Sequence, residues 1–357
     1  MSQPDMDLTI EFTGHVMEKV EGGIVTALMY LGDKLGLYRA MQDAGPLTPD
    51  ELAAKTGLHP RWIREWLSNQ GAAQIVTYRG DNRFELTAEQ AAVLADEENS
   101  VFFLAGLLQG MPAMYGLLDA LAQSFETGLG LPYDAGGANG AHGVARGFAP
   151  WYRHMLVPVI LQGLDGVVAK LEAGARVADV GCGAGIALIE MAKAFPASEF
   201  HGYELSKEAL ALAEQNKSEA GVGNVTFHDV RGEEVPTDGS FDFVTTFDCI
   251  HDMTHPRDVI KAIRKMVKDD GTYLIADIKS LPTYEENVEE NPMAAAMYGF
   301  SVLSCMSSAL SEPDGEGLGT LGFHPRLARD MCNDAGFTKF EEKDFGNPMN
   351  MYYEVRP

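Results

Sequence analysis

The run TTFDCIHDMTHP, Thr245 to Pro256, sets two aspartates, one cysteine and two histidines within twelve residues. Cys249, His251 and His255 offer the sulfur and nitrogen that zinc takes, with Asp248 or Asp252 as a fourth ligand. The paired spacing of a closed zinc site is missing, however, and His251 and His255 lack the glutamate of the H-E-x-x-H helix. No metal is expected. Histidine titrates near neutrality, so His251 is the candidate for removing a proton. Asp252 would orient it, or cap the helix that starts near Pro256. The plain alternative for His251 is a strand-end polar residue satisfied by backbone. His255, directly before the proline, reads as structural.

A second constellation lies upstream. In VADVGCGAG, Gly181, Gly183 and Gly185 fall where a strand meets a helix, so the backbone can turn tightly and approach a ligand. The dinucleotide fingerprint G-x-G-x-x-G/A would need Gly or Ala where Ile186 stands, and no phosphate-loop motif G-x-x-x-x-G-K-[ST] occurs. Carboxylates frame the loop. Asp179 precedes it, Glu204 ends the next strand, where it can accept from ribose hydroxyls, and Asp229 ends the third, within reach of an adenine amino group.

These residues need a scaffold. From Gly174 onward strands alternate with helices, which predicts an α/β domain with a largely parallel sheet. Seven strands are expected, the last two antiparallel. The chemistry-bearing run then follows the fourth strand. Upstream, the spacing predicts a long helix over residues 11–41. Thr48 and Glu51 form a capping box, a second helix spans residues 61–70, and a hairpin turns at Gly80-Asp81-Asn82. Helix, turn, helix, hairpin is the order of a winged helix. Helices are expected over residues 100–124 and 151–171, with an irregular glycine-rich stretch between them. The expected organisation is residues 1–99 as a winged-helix domain, 100–170 as a helical cleft region, and 171–357 as the α/β domain, with an insertion at about 280–323. In that insertion Met297, Tyr298, Phe300 and Met306 are candidates for an acceptor-pocket wall, or for ordinary helix packing. Tyr133 is a further substrate-binding candidate.

The 357-residue chain has a formal net charge of -25. That disfavours nucleic acid and anionic membrane, both of which reward basic surfaces. Arg61, Arg64, Arg79 and Arg83 give the winged helix only a modest basic face. Four scattered cysteines form no disulfide framework, and the start lacks a signal-peptide pattern, so a cytoplasmic protein is expected. Helices without a clear polar face suggest a homodimer.

With the glycine loop, Glu204, Asp229, FDFVTTFD and GTYLIAD in place, the chain from Leu171 onward resembles the class I S-adenosylmethionine-dependent methyltransferases. The resemblance implies a Rossmann-like seven-stranded domain that binds S-adenosyl-L-methionine and releases S-adenosyl-L-homocysteine. It implies Glu204 at the ribose, Asp229 and Val230 at the adenine, and Asp179 and Gly181 near the methionine moiety. Gly183, Gly185, Leu205 and Phe247 would complete the cofactor site. The winged helix before it resembles the arrangement of plant and bacterial small-molecule O-methyltransferases, which dimerise through their N-terminal portion. Those enzymes carry a His-Asp-Trp run whose histidine is the general base. His251 and Asp252 match its first two positions, while Met253 replaces the tryptophan. Glu285, Glu286, Glu289 and Glu290 are candidates by charge for orienting that histidine. The function expected is methyl transfer to a small, largely apolar organic acceptor at a hydroxyl. The alternatives are a winged-helix transcriptional regulator and an NAD-dependent dehydrogenase.

Overall fold

The structure, a computed structural model, describes residues 3–357 and divides into two compact units, Met1–Met111 and Pro112–Pro357. The first unit opens with α1 (Met6–Lys34), capped by the Asp5 carboxylate, which accepts from the N–H groups of Asp7 and Leu8. The single helix expected over residues 11–41 is interrupted at Gly36, whose left-handed backbone (φ 69°) redirects the chain into α2 (Leu37–Met41). The capping box of Thr48 and Glu51 starts α3 (Pro49–Thr56) as expected, and α4 (Pro60–Ala72) follows. Strands β1 (Thr77–Gly80) and β2 (Arg83–Glu85) pair antiparallel across Asp81 and Asn82. Both turn residues have positive φ, the geometry that matches hairpin twist. With α5 (Ala88–Leu94) these elements bury Leu37, Met41, Leu52, Ile63, Leu67 and Phe84 in one core.

Each of the four winged-helix arginines is paired to a carboxylate: Arg61 to Glu65 (2.5 Å), Arg64 to Asp50 (3.9 Å), Arg79 to Glu85 (2.5 Å) and Arg83 to Glu51 (2.9 Å). In α1, by contrast, every residue from Met6 to Ile24 is exposed, including Met6, Leu8, Ile10, Phe12, Val16 and Val20.

The boundary between the units falls inside α6 (Ala105–Gly116), and α7 (Leu118–Thr127) follows, so two helices replace the one expected there. The glycine-rich stretch is not irregular. After a 3₁₀ turn at Tyr133–Gly136 it forms α8 (Gly137–Trp151), which continues as a wider π-helical stretch, Tyr152–Ile160. Each glycine costs about 1 kcal/mol relative to alanine in a helix. Packing of this helix against its neighbours, with Ala149, Leu156 and Ile160 fully buried, overrides that propensity. Helix α9 (Val167–Ala173) leads into the sheet.

The sheet has the seven strands expected. In chain order they are β3 (Arg176–Val180), β4 (Glu199–Glu204), β5 (Val225–Asp229), β6 (Phe241–Phe247), β7 (Val267–Ile278), β8 (Lys339–Lys343) and β9 (Asn350–Arg356). Their spatial order is β5-β4-β3-β6-β7-β9-β8; β9 pairs antiparallel with both β7 and β8, and every other pair is parallel. The connecting helices are α10 (Ile186–Ala194), α11 (Lys207–Ala220) and α12 (Pro256–Met266). After β7 come α13 (Tyr284–Glu290), α14 (Ala294–Phe300), α15 (Met306–Ala309) and α16 (Pro325–Ala335), with a π-helical turn, Ser301–Cys305, joining α14 to α15. Successive strand residues point to opposite faces. Val177, Phe243 and Leu274 join Leu156, Leu188 and Met191 on one side. Ala178, Val244 and Ile275 join Ile260, Ile263, Met266 and Met331 on the other. Strand order reverses at β3, whose neighbours β4 and β6 diverge there and open a crevice at the strands' carboxyl ends.

Ile260 is fully buried against the sheet from α12. Its replacement by alanine should lower unfolding free energy by about 2–5 kcal/mol, seen as a lower urea midpoint at unchanged slope.

Candidate functional site

The glycine loop links β3 to α10. Gly181, Gly183 and Gly185 all have left-handed φ, of 75°, 53° and 72°. A Cβ on Gly181 would lie 2.7 Å from the Cys249 sulfur, and one on Gly185 would collide with the Phe227 ring. Gly183 differs: a Cβ there would meet nothing within 4 Å, so its open side faces space that a ligand can fill. Its N–H donates to Glu204 Oε2 at 2.8 Å, while Glu204 Oε1 accepts from the N–H groups of Leu205 and Ser206, also at 2.8 Å. Burial raises the Glu204 pKa and these three donors partly counter it. Asp179 is 1% exposed and accepts from the Thr245 hydroxyl at 2.8 Å. Burial pushes its pKa up to about 8 despite that bond, with Glu204 adding to the rise.

At the end of β6 the chain turns through Asp248, a non-glycine residue at φ 51° whose carboxylate accepts from the Asn350 amide. Burial foremost, then Asp277, raises Asp248 to about 8. A 3₁₀ turn, Ile250–Asp252, then aims His251 inward. His251 Nδ1 lies 2.6 Å from Asp277 Oδ1, and the two side chains are 3% and 1% exposed. Burial alone would favour a neutral ring, but the Asp277 carboxylate outweighs it and holds the His251 pKa well above 6.5. The Cys305 thiol also lies beside the ring and adds to the rise. Asp277 also accepts from the Ile278 N–H through Oδ1, whereas its Oδ2 is buried without a hydrogen-bond partner. Asp252 neither bonds to His251 nor caps α12, and burial raises its pKa to about 7.

These elements surround a cavity of about 620 Å³. Asp179, the glycine loop and Glu204 line it from β3 and β4. Leu205, Val230 and Arg231 line it beyond β4 and β5. Phe247, Asp248, Cys249, Asp252 and Met253 line it after β6. Tyr133, Phe148 and Tyr152 supply an aromatic wall, with Tyr152 edge-on to Phe247 at 5.3 Å. The Tyr133 segment is tied down by Asp134, whose carboxylate accepts from the Ser206 hydroxyl and from the Lys207 N–H.

The remaining site candidates fall elsewhere. Asp229 is not part of the lining. Its carboxylate grips Arg231 (2.5 and 2.8 Å), which lowers its pKa to about 2. Met297, Tyr298 and Phe300 pack with Ile278 and Leu321, and like Met306 they do not line the cavity. His251 is not in the lining either, although Cys249, Asp252 and Met253 around it are. Glu285, Glu286, Glu289 and Glu290 are exposed on α13, and Asp277 is the carboxylate that meets His251. Asp277 ends the GTYLIAD run that carries the family resemblance, but its pairing with His251 shows only once β7 is known to lie beside β6. Tyr152, Phe148 and Arg231 carry no sequence signal that separates them from packing or surface residues. Cys249, His251 and His255 do not assemble as a metal set. Among the described residues, the one potential cluster joins His255 to Glu312 (3.0 Å) and Asp314 (3.7 Å), two exposed carboxylates.

Comparison with known proteins bears on this arrangement. A family described as "Methyltransferase domain" matches residues 171–322, and an "Rv2258c-like winged HTH domain" matches residues 23–96. The ubiquinone biosynthesis O-methyltransferase of Ralstonia nicotianae is 36% identical over 108 residues, 30% of this chain and 44% of the relative. That of Bordetella avium is 30% identical over 131 residues, 36% of this chain and 53% of the relative. The chain thus spans about half the length of the curated relatives it matches. Two solved structures share the fold along the whole chain. An O-methyltransferase family protein from Burkholderia thailandensis has a TM-score of 0.66 at 16% identity, covering 99% of both chains. Human N-acetylserotonin methyltransferase in complex with SAM has 0.67 at 16%, covering 100% of this chain and 99% of the other.

The His251–Asp277 pair predicts a specific titration. By NMR the imidazole should titrate well above 6.5, and in Asp277→Asn it should fall toward or below that value, because the neutral amide no longer favours the charged ring.

Proposed function

With a class I S-adenosylmethionine-dependent methyltransferase fold behind a winged-helix domain, the chain resembles the small-molecule O-methyltransferases, and we propose that it methylates a small organic acceptor at a hydroxyl. The observation that carries this reading is the glycine loop with Glu204 and the cavity it borders. When bound, S-adenosyl-L-methionine supplies an electrophilic methyl group on a sulfonium. The residues present suit it. The open side of Gly183 gives close backbone approach, the Glu204 carboxylate offers acceptors to ribose hydroxyls, and Val230 and Leu205 give apolar contact beside an adenine. Asp179 and Gly181 serve the methionine end, where a buried carboxylate suits an ammonium group. Asp229 is occupied by Arg231, so a role at the adenine requires the two to part or the backbone of Val230 to act in its place. The NAD reading lacks the small residue at Ile186.

His251 is the base in this reading. Asp277 fixes Nδ1–H, orients the ring and leaves Nε2 to take the acceptor's proton, as in other Asp–His pairs. The raised pKa means the ring must first lose its own proton, so transfer is favoured above neutral pH. Cys305, which neighbours the ring, would have to give way where an acceptor approaches it. Curated relatives and solved neighbours named as O-methyltransferases support a hydroxyl target.

The first unit serves assembly. The apolar residues of α1 from Met6 to Ile24 are exposed, and an isolated helix of that kind is marginal in water. A second copy of the chain would cover them. The paired arginines of the winged helix leave little free positive charge for phosphates, so a structural role is favoured over DNA binding.

Calorimetric titration should show binding of S-adenosyl-L-methionine and S-adenosyl-L-homocysteine and none of NAD; failure of both methionine-derived ligands ends the proposal. His251→Ala should lower the transfer rate about 10²–10⁴-fold, and a loss below about tenfold argues against proton removal. Light scattering should report a dimer that dissociates when Phe12 and Val16 are both changed to glutamate.

A further inference from the structure

The cavity is apolar in much of its wall but strongly acidic where it meets the sheet. Asp179, Glu204, Asp248, Asp252 and Glu312 line it, against a single arginine and no lysine among the described residues. That arginine, Arg231, is held in two hydrogen bonds by Asp229, and the one lining histidine, His255, is paired with Glu312. A carboxylate removed from water must be hydrogen-bonded, paired or protonated. Glu204 is met by three backbone donors and Asp179 by Thr245, and both have places at the cofactor in the reading above. Asp248 and Asp252 remain. Asp248 receives one amide from Asn350, and no hydrogen bond from another side chain reaches the Asp252 carboxylate among the described residues.

Aromatic rings share the wall with these acids: Tyr133 and Tyr152 line the same cavity as Asp248 and Asp252. Phe148 and Phe247 line the same space, and Tyr152 meets Phe247 edge-on. Carboxylates set among aromatic faces are the pattern that recognises organic ammonium ions, through charge and through the negative face of the ring. The chain's charge of -25 draws cations toward the cleft and opposes anions.

We propose, resting on the methyl-transfer reading, that the acceptor carries a basic nitrogen, held as an ammonium ion by Asp248 and Asp252 with the rings of Tyr133 and Tyr152. This narrows the substrate class from apolar hydroxyl compounds to amine-bearing ones, and makes the two aspartates determinants of specificity.

The test uses the full chain saturated with S-adenosyl-L-homocysteine and three phenols that differ only at the far end: tyramine, 4-ethylphenol and 4-hydroxyphenylacetate. Calorimetry should show tyramine binding about tenfold or more tighter than 4-ethylphenol, with the acid weakest. Asp248→Asn and Asp252→Asn should each cut that preference to about threefold or less while S-adenosyl-L-homocysteine still binds. Asparagine tolerates the left-handed backbone at position 248, so that variant keeps the turn. Equal binding of the three phenols, no binding of any, or tightest binding of the acid overturns the proposal. So does a result in which the variants weaken S-adenosyl-L-methionine relative to S-adenosyl-L-homocysteine but leave the amine preference intact, because the aspartates then serve the sulfonium. If neither cofactor form binds at all, the methyl-transfer reading itself has failed.

Discussion

The parallel pairing of β3 with β4 on one side and β6 on the other is the constraint on which the remaining structure depends. It sends the chain in opposite directions after neighbouring strands, so helices leave by opposite faces and a crevice opens where they part. Four carboxylates at the site are strand ends on that edge: Asp179, Glu204, Asp248 and Asp277 come from four adjacent strands or the residue just after them. The register that aligns Phe247 with Ala276 sets β6 and β7 to finish together, and the buried His251–Asp277 bond follows from that alignment.

Electrostatics then follow from geometry. Strand ends collected at one edge place carboxyl groups in a region of low dielectric, where the ionised form is costly unless a donor meets it. The protein answers differently at each position. Glu204 takes backbone N–H groups, Asp179 a hydroxyl, Asp277 a histidine, and Asp248 an amide. The outcome is that burial lifts Asp179 and Asp248 to about 8, beside a histidine held well above 6.5 by its carboxylate partner. Pairs of titratable groups pushed in such directions are common where proton movement is useful.

Local features were the legible ones. The glycine loop, the capping box and the strand–helix alternation each occupy a short stretch, so their meaning survives without knowledge of neighbours. The closing antiparallel pair was readable for the same reason. What escaped depended on partners distant in sequence. Glycines in α8 suggested an irregular stretch, yet burial of its later residues decides for helix. The acid that meets His251 was sought among the glutamates after β7, whereas it is the last-but-one residue of β7 itself. Met297 and Phe300 looked equally suited to a pocket or a core, and only their packing on Leu321 distinguishes the two.

Asp134 joins the stretch bearing Tyr133 to the start of α11, immediately beyond Glu204. The wall of the cleft is therefore latched to the strand end that carries Glu204, the carboxylate proposed to hold a ribose. In that reading, uncovering the cleft and loosening the nucleoside are one event. In the proposed methyl-transfer cycle, such a latch would let a conformational opening, rather than bond making, set the pace at which spent cofactor leaves.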